Sequence, residues 1–193
     1  MSQITLDKNN EKTIFGFWIY IMTDCILFAS LFATFMVLRS NSNGGAEGDE
    51  LFSLPFILTE TLILLTSSFV CGLAMLSAHK GDRKMVSIWL TITALLGLAF
   101  LGMELHEFSN LYNEGNSWKE SAFLSSFFTL VGTHGLHISV GLIWIIFMIK
   151  SIWLKGVTRS NLQRLTMLSI FWHFLDIVWI FIFTIVYMIG VVG

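Results

Sequence analysis

Charge, proline and cysteine are all scarce in this chain. Only 12% of its 193 residues are charged, 55% are hydrophobic, and a single proline occurs. So few charges exclude an ordinary soluble domain, and so few prolines leave long helices uninterrupted. Cys25 and Cys71 both lie in apolar stretches, where a thiol packs as a small hydrophobic group, so they indicate no redox compartment. The first residues lack the features of a secretory signal peptide, so the first hydrophobic segment is expected to be retained.

Five long apolar stretches predict an all-α integral membrane protein. A helix needs about 20 apolar residues to cross the hydrocarbon core of a bilayer. The stretches cover residues 14–38, 54–78, 85–103, 121–149 and 166–192. All five are too continuously apolar for the alternating pattern of a membrane barrel. Because the connections between them are short, we expect residues 1–193 to form a single membrane domain, a bundle of five transmembrane helices.

The basic residues sort by side of the membrane. Nine of the eleven Lys and Arg residues fall on the side of the N-terminus, and only Arg39 and Lys119 fall on the other. This bias predicts a cytoplasmic N-terminus and, after five spans, a periplasmic or external C-terminus. Arg83, Lys84 and Arg164 lie near tryptophans at predicted span ends, which indicates contacts with lipid headgroups. A solvated cytoplasmic cluster would have the same sequence pattern.

The first two predicted spans each contain a carboxylic acid. A charged group near the bilayer centre costs at least about 2.5 kcal/mol, so each one needs a partner, a changed protonation state or a function. Asp24 lies about midway along the first span, where a proton-handling site and a structural hydrogen bond to a neighbouring helix are both open. Glu60 lies about one and a half turns inside the second span. It suits either a structural hydrogen bond or a water-filled crevice.

Three histidines and one aspartate form two pairs with helical spacing. His134 and His137 are three residues apart in the fourth span, and His173 and Asp176 repeat that spacing in the fifth. If the two faces met, their residue types would suit a zinc or iron site, and histidines from two helices can hold a haem. No paired ligand motif supports this geometry, and hydrogen bonding between helices is the simpler interpretation. We therefore predict no catalytic, cofactor-binding or metal-binding residue, with a free-standing metal-dependent membrane enzyme as an alternative.

Two spans carry motifs of a known family. Residues 171–179, FWHFLDIVW, resemble the W-H-F-x-D-x-V-W signature of subunit III of the haem-copper cytochrome oxidases. Residues 131–137, VGTHGLH, resemble the G-x-H-G-x-H element of the same family. Asp24 stands where the family carries a membrane-buried carboxylate, usually Glu in the cytochrome c oxidases, so the acid here has a shorter reach. The segments LPFILTETLILLTSS and 104–108 extend the resemblance over nearly the whole chain.

The resemblance implies a subunit of a respiratory complex. Five spans, together with the segments FGFWIYIMTDCILF and GTHGLHIS, look like the quinol-oxidising, cytochrome bo-type branch, because the aa-type subunits typically have seven spans. A subunit of this kind stabilises the catalytic subunit I, assembles with subunit II and a small subunit IV, and contacts membrane phospholipids, with no nucleic-acid partner. Its complex oxidises ubiquinol, reduces oxygen to water and translocates protons across the bacterial inner membrane.

The cofactors implied by the resemblance belong to another chain. The family's catalytic subunit uses six histidines for two haems and a copper, whereas this chain has five histidines in all. Haems and copper are therefore expected in the partner catalytic subunit, and none in this chain. Subunit III of a cytochrome c oxidase and an accessory subunit of a nitric oxide reductase remain alternatives.

Overall fold

Long helices make up the protein. The computed structural model describes residues 2–38, 54–113 and 122–188. The helices are α1 (Ser2–Leu38), α2 (Leu54–His79), α3 (Arg83–Asn113), α4 (Ala122–Lys155) and α5 (Arg159–Ile182), and a π-helical segment, Phe183–Met188, follows α5 directly. Each helix contains a span that is long and apolar enough to cross a membrane. The prediction of an all-α membrane protein with five spanning helices is confirmed.

Several helices run beyond the apolar stretches that predict them. Helix α3 continues to Asn113, past the expected end at residue 103, and α5 begins at Arg159, ahead of residue 166. A helix forms its hydrogen bonds within its own backbone, so polar turns can continue it beyond the apolar part. Some residues named above lie outside the described part of the chain: residue 121, residues 189–192, Arg39 and Lys119.

Two tight turns connect the helices as antiparallel pairs. Gly81 lies in the first turn, just after α2, and Gly156 directly follows α4. Their φ angles of 76° and 72° are in the left-handed region, which favours glycine. Asp82 then caps α3 by accepting a hydrogen bond of 3.1 Å from a backbone N–H two residues later. Thr158 caps α5 by accepting a hydrogen bond of 3.3 Å from the backbone N–H three residues later. Both turns lie at the same end of the bundle, which we call the turn end.

Helices α2 to α5 form a closed ring. Helix α2 packs against α3 and α5, and α4 packs against the same two helices from the other side. Helix α1 lies outside this ring, mainly against α4 and over a shorter stretch against α5. It runs antiparallel to α4, since Phe17 contacts Trp144 near one end and Phe35 contacts Phe123 near the other. Much of α1 therefore remains exposed at the surface.

Trp172 occupies the centre of the ring. Its indole is 1% exposed and reaches from α5 toward α3 and α4. A Cβ atom added to Gly97 of α3 would lie 2.9 Å from Cη2 of the indole, and one added to Gly141 of α4 would lie 2.9 Å from Cζ3. Such separations are too short for carbon atoms. The large side chain therefore fits only because two neighbouring helices present bare backbone to it.

Candidate functional site

The tryptophans of the α5 motif face α2. Trp172 and Trp179 are seven residues apart, which places them on one side of the helix. The indole N–H of Trp172 donates to Oγ of Ser67 at 3.1 Å, and that of Trp179 donates to Oγ1 of Thr61 at 3.1 Å. Both acceptors are buried hydroxyls of α2. These residues of the motif thus connect two helices of the ring.

The polar residues of the same motif have different surroundings. Asp176 is 9% exposed and lies near Ser68 of α2, which is 5% exposed. His173, one turn earlier, is exposed on the outer surface. It remains within electrostatic range of Asp176. The two residues are therefore not directed together into the bundle.

The two histidines of α4 belong to separate surroundings. His134 is completely buried, and its ring stacks on Trp179 with centroids 5.3 Å apart. Neither of its ring nitrogens has a hydrogen-bond partner among the described residues. His137 instead faces α1. Across residues 2–38, 54–113 and 122–188, no three His, Cys, Asp or Glu side chains lie close enough together to hold a metal ion. The two faces considered from sequence as a joint ligand set do not meet.

Asp24 and His137 form a buried pair between α1 and α4. Oδ2 of Asp24 lies 3.7 Å from Nε2 of His137, and Asp24 is 5% exposed. The other ring nitrogen, Nδ1, donates to the backbone carbonyl of Thr133 at 2.8 Å. A carbonyl only accepts, so Nδ1 carries a hydrogen, and Nε2 of the neutral ring presents a lone pair to the carboxyl group. The interaction is attractive when one proton lies on either Asp24 or Nε2. We call these two residues the Asp24–His137 pair.

The surroundings of the pair are mostly aromatic. The ring of Phe28 lies 5.2 Å from that of His137, and Phe28 is 2% exposed. Tyr20, one turn before Asp24, interacts with the carboxyl group through its hydroxyl. An aromatic residue one turn before Asp24 and another one turn after it thus contact the pair. Asp24 therefore meets an ionisable partner on a neighbouring helix at a depth where an isolated charge is costly.

A second group of acids lies inside the ring of helices. Glu60 of α2 is 0% exposed, Glu104 and Glu107 of α3 are 2% and 9% exposed, and Tyr187 of the π-helical segment is 0% exposed. The hydroxyl of Tyr187 donates to Oε2 of Glu107 at 3.0 Å. Glu60 is within electrostatic range of both other glutamates. We call these four residues the inner acid cluster.

Only Glu60 of this cluster was identified from sequence. Glu104 and Glu107 fall just beyond residue 103, the predicted end of the third span. Their spacing of three residues, in a segment that continues the helix, is the signal that was available. Gly135 of α4 makes room for Glu104, because a Cβ atom there would lie 2.6 Å from Oε1 of the carboxyl group.

The three basic residues considered for lipid contacts all lie at the surface. Arg83 and Lys84 begin α3 directly after the first turn, and Arg164 lies in the second turn of α5. All three are exposed and lie near the turn end. Their contact with lipid headgroups stays a prediction.

Comparison with known families and proteins gives a consistent result. Residues 8–191 match the family described as cytochrome c oxidase subunit III. Over 179 residues the chain is 57% identical to cytochrome bo(3) ubiquinol oxidase subunit 3 of Pseudomonas aeruginosa, covering 93% of this chain and 86% of the relative. The corresponding protein of Pseudomonas putida is 50% identical over 95% of this chain and 88% of its own length.

A relative whose name gives a different electron donor is also similar to this chain. Cytochrome c oxidase subunit 3 of Bacillus sp. (strain PS3) is 42% identical, over 98% of this chain and 90% of the relative. The match therefore extends along nearly the full length of relatives whose names give ubiquinol and of one whose name gives cytochrome c.

Proposed function

Because the chain belongs to the cytochrome c oxidase subunit III family, we propose that it is the third subunit of a proton-translocating haem-copper ubiquinol oxidase. The choice of ubiquinol as the electron donor rests on sequence identity. The ubiquinol oxidase subunits of the two Pseudomonas species are 57% and 50% identical to this chain, and the cytochrome c oxidase subunit is 42% identical. In this role the chain supports subunit I, which holds the haems and copper, and carries out no redox step itself.

The donor is tested on the intact complex. The chain is purified through an affinity tag in mild detergent, copurifying proteins are identified, and oxygen uptake is measured with ubiquinol and with reduced cytochrome c. We expect a haem-containing partner with many spans and oxygen uptake driven by ubiquinol. Activity with cytochrome c alone, or copurification with a nitric oxide reductase, would contradict the proposal.

The outer face of α5 supports a protein partner in the membrane. Ionisable side chains within spans rarely face lipid, yet His173 is exposed near the middle of α5. Ile177 and Phe181, one and two turns later, are 54% and 53% exposed on the same face. A neighbouring subunit that covers this face would remove the imidazole from hydrocarbon. We infer that subunit I covers it.

Photocrosslinking tests this contact. A photoreactive amino acid is introduced at position 177, and a second variant carries it at Phe147 of α4, which is 65% exposed, as a reference. We expect illumination to join position 177 to subunit I in the intact complex. Crosslinks to lipid alone from position 177 would show that α5 faces the bilayer instead.

The Asp24–His137 pair supports a role for a membrane-buried proton in the stability of the working complex. Its two groups interact favourably when they hold one proton between them, and α1 and α4 supply one group each. Asp24→Asn keeps the shape of the side chain but removes the acidic proton, whereas Asp24→Glu restores an acid with a longer reach. We expect Asp24→Asn to assemble normally and to lose activity sooner during turnover, with recovery in Asp24→Glu.

The neighbouring substitution Cys25→Ser serves as the matched control, because Cys25 is exposed and adjacent in sequence. Assembly, duration of turnover and proton translocation are measured for all three variants. If Asp24→Asn equals the control in all three measurements, the pair has only a packing role.

Lipid binding is proposed for the basic residues of the turn end. Arg83, Lys84 and Arg164 are exposed there, at positions where cations can contact phospholipid headgroups. The triple substitution to Gln should lower the amount of phospholipid that copurifies with the complex, as measured by mass spectrometry. An unchanged amount would identify these residues as an ordinary solvated surface.

The direction of insertion is a further part of the proposal. The distribution of Lys and Arg supports a cytoplasmic N-terminus and a periplasmic C-terminus in the inner membrane. A reporter enzyme that is active only in the periplasm is fused to the C-terminus. Activity of that fusion is expected, and a silent but stable fusion would reverse the assigned direction.

A further inference from the structure

The inner acid cluster lies well inside the bundle. Glu60 is six residues from the start of α2, and Glu107 is six residues from the end of α3. At 1.5 Å per residue, both lie about 9 Å along their helices from the end opposite the turn end. The ring of α2 to α5 surrounds them. The cluster is separate from the Asp24–His137 pair, which lies between α1 and α4.

The cluster brings several acids of different helices together. Helix α2 contributes Glu60, α3 contributes Glu104 and Glu107, and the π-helical segment contributes Tyr187. Helix α4 contributes the bare backbone of Gly135 beside Glu104 and the ring of Phe127 beside Tyr187. Within the described ranges, no Lys or Arg forms an ion pair with these glutamates. Three ionised carboxylates in this position would repel each other and would each lose several kcal/mol of hydration.

Polar atoms of the cluster lack hydrogen-bond partners among the residues that the structure describes. Both carboxyl oxygens of Glu60 and Oε2 of Glu104 are buried and have no hydrogen bond to any residue that the structure describes. Leaving a buried polar group unpaired costs about 1–3 kcal/mol, and more for a charged group. Buried water commonly satisfies such atoms, because one molecule can make two to four hydrogen bonds. The unpaired oxygens therefore indicate a small ligand that donates hydrogen bonds.

We propose that the inner acid cluster is a hydrated proton-binding site, in which buried water joins Glu60 to Glu104 and the carboxyl groups hold protons instead of a metal ion. A proton needs no fixed set of ligands, which agrees with the absence of three metal-binding side chains in close reach among the described residues. Tyr187 completes the cluster as a neutral donor to Glu107 at 3.0 Å.

Infrared spectroscopy of the purified intact oxidase tests the proposal directly. A protonated carboxyl group has a C=O stretching band that is separate from the bands of a carboxylate, and the band shifts when deuterium replaces the proton. Glu60→Gln and Glu104→Gln keep the size and shape of each side chain while removing the acid. We expect each variant to lose part of the deuterium-sensitive C=O band, together with part of the absorption of buried water.

The matched control is Asp82→Asn. Asp82 is an exposed acid that caps α3, and asparagine also caps helices, so the control should leave the C=O band unchanged. If Glu60→Gln and Glu104→Gln both leave the band at its wild-type intensity, the cluster is ionised and the proposal is wrong.

A second measurement uses the unmodified complex, so it does not depend on whether the variants assemble. A hydrophobic carbodiimide reacts with protonated carboxyl groups in apolar surroundings, and peptide mass spectrometry locates the product. We expect modification of Glu60 or Glu104. Two results together would identify a bound metal ion and overturn the proposal: neither glutamate is modified, and a metal chelator lowers the thermal stability of the complex.

Discussion

Replacing Gly141 by alanine would press a methyl group into the indole of Trp172. The added Cβ would lie 2.9 Å from Cζ3 and 3.1 Å from Cε3 of the ring, and 3.3 Å from Cε1 of Phe171. Overpacking of this kind typically costs about 1–3 kcal/mol. Both rings are 1% exposed, so neither can move aside into open space. We expect Gly141→Ala to destabilise the ring of helices.

Gly132→Ala provides the matched comparison on the same helix. A Cβ atom at Gly132 would lie 3.8 Å from Phe108, which is ordinary contact. Both substitutions gain the same preference of alanine over glycine in a helix, about 0.5–1 kcal/mol, so this gain cancels between them. The difference in stability between the two variants is then the packing cost alone. It corresponds to about a 5- to 150-fold difference in the fraction of opened molecules.

The buried thiol of Cys71 reports this opening. Cys71 is 0% exposed within the ring, and the exposed Cys25 is first replaced by serine to remove its signal. The rate at which a thiol reagent labels Cys71 in the detergent-solubilised complex then follows the population of opened molecules. Gly141→Ala should be labelled faster than Gly132→Ala. Trp172→Phe should reduce that difference, because the aromatic side chain of phenylalanine is smaller than the indole. Equal rates for the two alanine variants would refute the account of Trp172 packing.

Three further substitutions test other contacts. Thr61→Val removes the acceptor of an indole hydrogen bond and should destabilise the ring by about 0.6–1.7 kcal/mol in the labelling assay, while Thr66→Val, at an exposed position of α2, should not. Thr158→Ala removes the cap of α5 and should cost about 1 kcal/mol, with Thr158→Ser close to wild type in thermal unfolding. Gly135→Ala should displace the carboxyl group of Glu104 and alter the infrared C=O band, and an unchanged band would contradict the close contact.

Hydropathy was sufficient to find the helices but not the acids within them. All five spanning helices follow from runs of apolar residues, because length and composition alone decide whether a segment can cross a bilayer. The same criterion ends a span where polar residues become frequent, so Glu104 and Glu107 fall outside the predicted third span. In the folded chain they face the interior of the ring instead. Their burial depends on neighbours such as Gly135, which no property of the third segment alone can show.

The pairing of polar residues likewise depends on how the helices are placed against each other. The sequence gives the positions of Asp24 and His137 along their own helices, and each was recognised as a buried ionisable group. Their contact requires that α1 and α4 run antiparallel in one particular register, which bulky contacts such as Phe17 with Trp144 help to set. His134, only three residues from His137, stacks on Trp179 instead. The spacing of the two histidines within α4 cannot show which of them contacts α1 and which contacts α5.

The π-helical segment after α5 sets the direction in which the side chain of Tyr187 points. A π-helical turn accommodates one residue more than an α-helical turn, so a side chain late in the segment is rotated by about 100° relative to a continuous α-helix. Tyr187 is the fifth residue of this segment, and its hydroxyl reaches Glu107. Deleting one residue between Phe183 and Val186 would let the α-helix continue and turn the tyrosine away, while Trp172 and Trp179 kept their bonds to α2. Deleting a single residue would thereby remove the hydrogen bond to Glu107 in the inner acid cluster while α5 stayed bound to α2.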